Sequence, residues 1–345
     1  AACVTLFIRL LQTYWEDDLF QNGTPLLMQN GTHTVTSGLL AILIVFRTSH
    51  AYGRFWDGST LLHQMVGDWF DASSSVISFC RFRRDPTNDT DILRFQQLLV
   101  RLVSLLNAMI LADLEGAESS DDVQATSYEL LHPDGIEQEY LERLCKVKLK
   151  HRADTVYQWI QNLIVDNISN GTLACPAPII SRTFHFLGTG MQHYHDAMKY
   201  AATPFPFPYT TVTEMLLIIH WATTPMAACQ WTSSIPWSIL FTLFCVFVLW
   251  SLYFVAGELE NPFGTDLNSL SMREMQHDIN ESLAALVADV AQEVPILSCT
   301  PASAKTALSL RSQRKVMRKS FAEVLGGHNS VFSAGSSASH VTSNR

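Results

Sequence analysis

The stretch Thr34-Val35-Thr36-Ser37-Gly38-Leu39-Leu40-Ala41-Ile42-Leu43-Ile44-Val45-Phe46-Arg47-Thr48-Ser49-His50-Ala51-Tyr52-Gly53-Arg54-Phe55-Trp56-Asp57-Gly58 joins an apolar run to a segment bearing arginines and aromatic rings. No proline lies between Leu39 and Trp56, so a helix begun in the apolar half has no reason to stop in the polar one. The pattern predicts one long helix that starts in lipid and continues into water. Gly38, Ile42 and Phe46 recur every four residues and share one face. Leu39, Leu40, Ile44 and Val45 are left to meet lipid or neighbouring helices. Periodicity alone leaves two readings of the shared face open. The three residues are ordinary packing positions, or, repeated about a symmetry axis, they form a narrow dry constriction of the kind that gates by dewetting.

The composition points to a membrane protein with a large polar portion. Hydrophobic residues make up 48% of the 345 and charged ones 16%, against roughly 25% charge in an average soluble domain. Mean hydropathy is only +0.12, so the apolarity must be concentrated in segments. A net charge of −9 argues against a nucleic-acid partner. Seven scattered cysteines, with no C-x-x-C pair, predict reduced thiols rather than a disulfide framework or a zinc site.

Working outward, residues 1–14 form a short apolar stretch that opens without an initiator methionine, read as the truncated end of a first membrane helix. Tyr14 and Trp15 suit the interface. The loop to His33 carries no Lys or Arg. Residues 59–112 show helical spacing, interrupted near Arg81-Phe-Arg-Arg-Asp-Pro, and further amphipathic helices follow Pro133, His151 and Pro178. The alternating prolines of Thr203-Pro-Phe-Pro-Phe-Pro-Tyr predict extended chain, with a third membrane helix over about 212–229. Residues 235–256 form the clearest span, 22 residues without a charge. Basic residues follow it but are missing from the loop before it, which puts the helical region and the C-terminus on the cytosolic or stromal side. The expected division is 1–57 for the first two membrane helices and 58–203 for a soluble helical region. The third and fourth membrane helices take 204–257, a helical segment packing on the soluble region takes 258–298, and a disordered tail takes 299–345.

Histidines at 185, 193, 195 and 220 raise the alternative of a metal-dependent membrane enzyme. The His-x-His pair at 193 and 195 cannot share a helical face, however, and dense His boxes are missing. No catalytic residue, cofactor or metal ligand is assigned. His220 lies inside a membrane helix, where an ionisable group is costly and often functional. Arg54 is expected to pair with Glu258 or Glu260 at the membrane boundary.

Three motifs together resemble the bestrophin family of anion channels, in its bacterial and plastid branch, which includes plant thylakoid voltage-dependent chloride channels. They are Phe46-Arg-Thr-Ser-His-Ala-Tyr-Gly-Arg-Phe-Trp-Asp-Gly, Pro204-Phe-Pro-Phe-Pro-Tyr-Thr and Gly257-Glu-Leu-Glu-Asn-Pro-Phe-Gly-Thr-Asp-Leu-Asn. The resemblance implies an all-α, four-helix membrane bundle with a soluble helical portion, assembled as a homopentamer around a pore lined by the second helix. It implies a neck at Gly38, Ile42 and Phe46, wider at Gly38 where relatives carry a larger residue, and a second constriction at Ile179. Arg47, Arg54, Glu258, Asn261, Pro262 and Asp266 match the family's structural motif positions. Animal members place a run of acids after Asn-Pro-Phe-Gly as a calcium clasp. Here Asp266 is the only carboxylate of that run, so calcium gating is not expected. The implied cargo is chloride or another small monovalent anion, with bicarbonate as the alternative, and the remaining rival is a non-conducting scaffold. The plastid branch implies a multi-pass thylakoid protein, with the plasma membrane as the alternative.

Overall fold

A computed structural model describes residues 2–14, 30–83, 89–116, 128–264 and 268–313. In chain order its helices are α1 (Ala2–Tyr14), α2 (Asn30–Phe79), α3 (Asp89–Leu114), α4 (Gln138–Cys145), α5 (Arg152–Ser169), α6 (Ala177–Ala202), α7 (Phe207–Trp231), α8 (Ile235–Glu260), α9 (Met272–Val287), α10 (Asp289–Gln292) and α11 (Pro301–Gln313). No strand occurs among the described residues. All seven cysteines are free, as their scatter predicts.

α2 organises the rest. Its 50 residues contain no proline and extend about 75 Å at ~1.5 Å per residue. Buried positions recur at Leu40, Ile44, Arg47, Ala51, Gly58, Leu62, Met65, Trp69, Ala72 and Val76, steps of three, four or seven that keep one seam facing inward. That seam changes partners along its length. Leu40 and Ile44 join Leu217 of α7, with Leu249, Trp250 and Tyr253 of α8 packed around them. From Leu62 onward the same seam belongs to a much larger core shared with α3, α5, α6 and α9. One helix thus carries two cores, the first small because lipid takes over much of its burial.

The outer surface of the first core is apolar. α8 turns Phe241, Phe244, Phe247 and Phe254 outward and buries the small Ser238, Thr242 and Ala256. Small residues let helices approach closely, and buried hydroxyls then pair across the gap. Here the Thr5 hydroxyl donates to Thr242 Oγ1 at 3.2 Å, fastening α1 to α8. α3 is also long and apolar enough to cross a membrane, but 72% of its apolar window is buried within the protein, against 22% for α2 and 11% for α8. Its apolar surface is already covered by protein, and α3 is the central helix of the soluble core. Asp89 and Asp91 occupy its first turn, where the helix dipole favours acids.

A buried polar cluster locks α9 onto α3. The Ser104 hydroxyl donates to Asn280 Oδ1 at 2.6 Å, and Asn107 Nδ2 donates to Gln276 Oε1 at 2.8 Å. Gln276 and Asn280 also donate to the Glu129 carbonyl, at 3.1 and 2.7 Å. Between α3 and α6 the Tyr194 hydroxyl donates to the Asp113 carboxylate. Burial and that carboxylate both push the phenol's pKa up.

Two boundaries differ from the sequence reading. α7 begins at Phe207 rather than near residue 212, because Pro208 falls in its first turn, where a proline gives up no hydrogen bond and its fixed φ suits the helix. Only the link from Thr203 to Pro206 stays extended. In the separate unit formed by residues 293–345, the tail expected to be unstructured from residue 299 contains α11. Its alanines favour helix, and Thr300 Oγ1 accepts from the Ser303 amide at 3.4 Å as an N-cap.

Gly190 on α6 marks the tightest crossing with α2. A Cβ placed there would lie 2.7 Å from the Trp69 ring, and Trp69 is wholly buried, so the ring has nowhere to swing. Gly190→Ala is expected to cost about 1–3 kcal/mol through overpacking, read as a lower thermal midpoint in detergent. An unchanged midpoint would show that this crossing is not a constraint.

Candidate functional site

The first half of α2 is two-sided. Leu40 and Ile44 are 0% and 1% exposed, whereas Ile42 and Phe46 are 68% and 44% exposed. At ~100° per residue, Leu40, Ile44, Arg47 and Ala51 point into the bundle. Gly38, Ile42 and Phe46 occupy the opposite side, where among the described residues Tyr209 of α7 stands 5.8 Å from the Phe46 ring and Ile42 is left open. A Cβ added at Gly38 would meet nothing within 4 Å. The structure therefore brings these three residues together on one open face. Ile179, 42% exposed, lies elsewhere, in the first turn of α6 beside the buried Ile180.

Just beyond that face the membrane helices are tied to the soluble region by a polar knot centred on Glu260. Arg47 Nη2 donates to Glu260 Oε2 at 2.9 Å, and its guanidinium carbon stands 4.5 Å from the centre of the Tyr253 ring. Arg47 Nε and Nη1 are buried without a hydrogen-bond partner among the described residues. The other carboxylate oxygen, Oε1, accepts from the Phe205 amide at 2.9 Å. Arg54 does not form the ion pair expected of it. It donates to three carbonyls, those of Glu260 at 3.1 Å, Tyr200 at 2.7 Å and Thr203 at 2.8 Å. The reason is geometric: Arg54 lies two turns beyond Arg47, level with the chain ends where α6 and α8 expose carbonyls lacking helical partners. Glu258 is exposed and forms no ion pair among the described residues.

The turn after α8 is shaped by its own residues. Asn261 Oδ1 accepts from the Phe263 amide at 3.3 Å, the local bond that makes Asn a turn former. This drives Phe263 inward until it is fully buried. Pro262 and Phe263 then sit so close to α2 that a Cβ on Gly58 would lie 2.9 Å from each. Asp266 lies outside the described residues, as does most of the loop before His33.

The histidines do not gather. His185 and His195 are exposed, and His193 Nδ1 lies 3.0 Å from Asp68 Oδ2. Burial raises the pKa of the Asp68 carboxyl, with the nearby imidazole opposing the shift. His220 is far along the chain on α7, its Nδ1 3.0 Å from the Ser37 hydroxyl and its ring 5.4 Å from that of His33. No group of three or more metal-ligating side chains occurs among the described residues.

Apolar helices with outward-facing aromatic side chains, continued by one helix into a polar-tethered soluble core, define an integral membrane protein. The family model described as Bacterial/Fungal Bestrophin protein matches residues 1–285, and the chain belongs to the bestrophin family. It is similar to the Voltage-dependent anion channel-forming protein of Synechocystis sp., at 24% identity over 259 residues, covering 73% of this chain and 76% of that one. A protein of the same description from Ralstonia nicotianae is 21% identical over 251 residues, covering 72% and 74%. A solved bacterial Bestrophin homolog from Klebsiella pneumoniae shares the fold with a TM-score of 0.68 at 15% identity, covering 83% of this chain and 96% of that one. A second structure of that homolog gives 0.67 at 16%, covering 85% and 97%. The chain is a membrane protein of this family and not an enzyme.

Sequence reasoning placed Arg47 and Glu260 near one boundary but paired the wrong arginine. It missed the buried Ser104, Asn107, Gln276 and Asn280 altogether. The signal for them was present: polar residues three or four apart within otherwise apolar helical faces. Glu260→Gln is expected to leave Arg47 buried without its counter-ion and to cost about 3–5 kcal/mol, read as loss of assembled protein on size exclusion and a lower melting midpoint. The Arg47→Met/Glu260→Gln double variant should lose less than the two single losses combined. Strict additivity would mean the two groups are not coupled.

Proposed function

We propose that the chain forms a passive anion channel, a homopentamer whose central pore is lined by α2. The observation that carries this reading is the open face of Gly38, Ile42 and Phe46, set opposite the seam that α7 and α8 bury. A bulky apolar face left largely open within its own subunit fits a position around a symmetry axis. Similarity to proteins described as anion channel-forming supports the same reading.

An apolar neck selects by dehydration. An anion passing Ile42 and Phe46 sheds part of its water, which favours weakly hydrated monovalent anions. The electropositive edge of the Phe46 ring can face such an ion. Gly38 leaves the outer end of the neck wide. Ile179, at the exposed start of α6, forms a second apolar constriction in the soluble region. Chloride is the proposed cargo, with the soluble region and the C-terminus on the cytosolic or stromal side. Arg54 and Glu260 hold the middle of α2, just beyond its apolar half, so that the neck keeps its diameter.

Reconstitution in liposomes tests the proposal. The wild-type protein is expected to pass nitrate and iodide more readily than chloride, and all three far more readily than potassium. Ile42→Ala and Phe46→Ala should raise chloride flux and weaken the discrimination among anions several-fold, because both widen the dry segment. A scaffold would give no anion leak, and neither substitution would alter anything.

A further inference from the structure

We propose that His50 forms an anion site at the inner end of the neck, one that takes small monovalent anions and strengthens when its imidazole gains a proton. The inference rests on the channel reading above and adds to it a residue that sets conductance. The four-residue ladder bearing Gly38, Ile42 and Phe46 continues to His50 and then to Arg54. Arg54 leaves the ladder's open face, since its guanidinium is taken up by the carbonyls of Glu260, Tyr200 and Thr203. His50 is therefore the first ionisable side chain that an anion meets on leaving the apolar segment.

Its surroundings suit that role. His50 is exposed, and among the described residues it has neither a hydrogen bond nor an ion pair. Its ring stands 4.4 Å from that of Phe46 at 65°, and 6.4 Å from that of Phe205. Phe46 in turn meets Tyr209 at 5.8 Å. Phe46 and Phe205 thus flank the imidazole, and Tyr209 backs the Phe46 ring.

The charged groups on the elements packed around it are committed elsewhere. On α2, Arg47 is paired with Glu260, and Arg54 is bound to carbonyls. The link from Thr203 to Pro206 holds no ionisable side chain. α7 contributes the Tyr209 phenol. α8 contributes Glu260, whose two oxygens are held by Arg47 and the Phe205 amide. Glu214 of α7 accepts from the Tyr253 hydroxyl, Glu258 of α8 is exposed, and neither forms an ion pair with His50 among the described residues. Imidazole changes charge between about pH 5 and 8. A cation at a mouth with low-dielectric walls raises the local concentration of anions, and symmetry would repeat it in every subunit. Protonation therefore recruits anions to the point where they regain water.

Chloride flux into liposomes, measured at about pH 5.5 and about pH 8 on protein of verified assembly, tests the site. Wild-type flux should rise several-fold on acidification. His50→Gln should stay at the wild-type high-pH level at both values, and His50→Arg should stay at the low-pH level at both. His220→Gln, on the opposite side of α2, should keep the wild-type pH dependence. If His50→Gln retains that dependence while Phe46→Ala still alters selectivity, the His50 site is wrong and the channel stands. If His220→Gln alone abolishes the dependence, the proton sensor is His220 and the proposal is overturned. Absence of flux from every assembled variant and from the wild type overturns the channel reading, and this site with it.

Discussion

Glu260 sits where α8 leaves its apolar surroundings, and its carboxylate is shared between a guanidinium from α2 and an amide from the link between α6 and α7. One ion therefore joins three segments that are far apart in the chain. The Arg47 side chain is 8% exposed and that of Glu260 19%, so neither charge is well solvated and each depends on the other. Breaking such a pair costs far more than its net worth to folding, because the surviving charge stays buried. The knot therefore acts as a positional device. It sets the rotation of α2 just past its apolar stretch and so determines which face is left open.

The soluble region applies the same constraint by other means. Ser104, Asn107, Gln276 and Asn280 are buried together and hydrogen-bonded to one another and to the Glu129 carbonyl. Asn107 Oδ1 alone in this cluster has no partner among the described residues, and a network so connected favours one register over its neighbours. Trp69 against Gly190 and Phe263 against Gly58 add steric versions of that specificity. α2 is thus held at its lower end by packing and at its middle by charge. Its apolar half presents a face on which Ile42 is left open.

Much of the architecture could be read directly. The absence of proline across the join at Arg47 predicted a helix that continues out of the membrane, and it runs to Phe79. The uncharged run from residue 235 predicted α8, which extends to Glu260. The motif after it predicted a turn, and Asn261 makes that turn. The start of α7 was misjudged, because three alternating prolines read as extended chain while the last of them serves as a helix start. Residues 301–313 of the expected tail are helical, since serine and basic content hid an N-cap at Thr300 and the spaced alanines 302, 304 and 307.

Local order was written in the sequence because helix periodicity, prolines, caps and apolar runs act between residues a few positions apart. Which arginine meets Glu260 was not, and neither was the assignment of α3 to a protein core when its composition would equally suit lipid. Both depend on what surrounds a side chain in space. Composition states how apolar a helix is, but only the packed structure shows whether protein or bilayer covers it. Charge states that two groups can attract, but only the rotation of α2 against α8 brings Arg47 to Glu260 and turns Arg54 toward carbonyls.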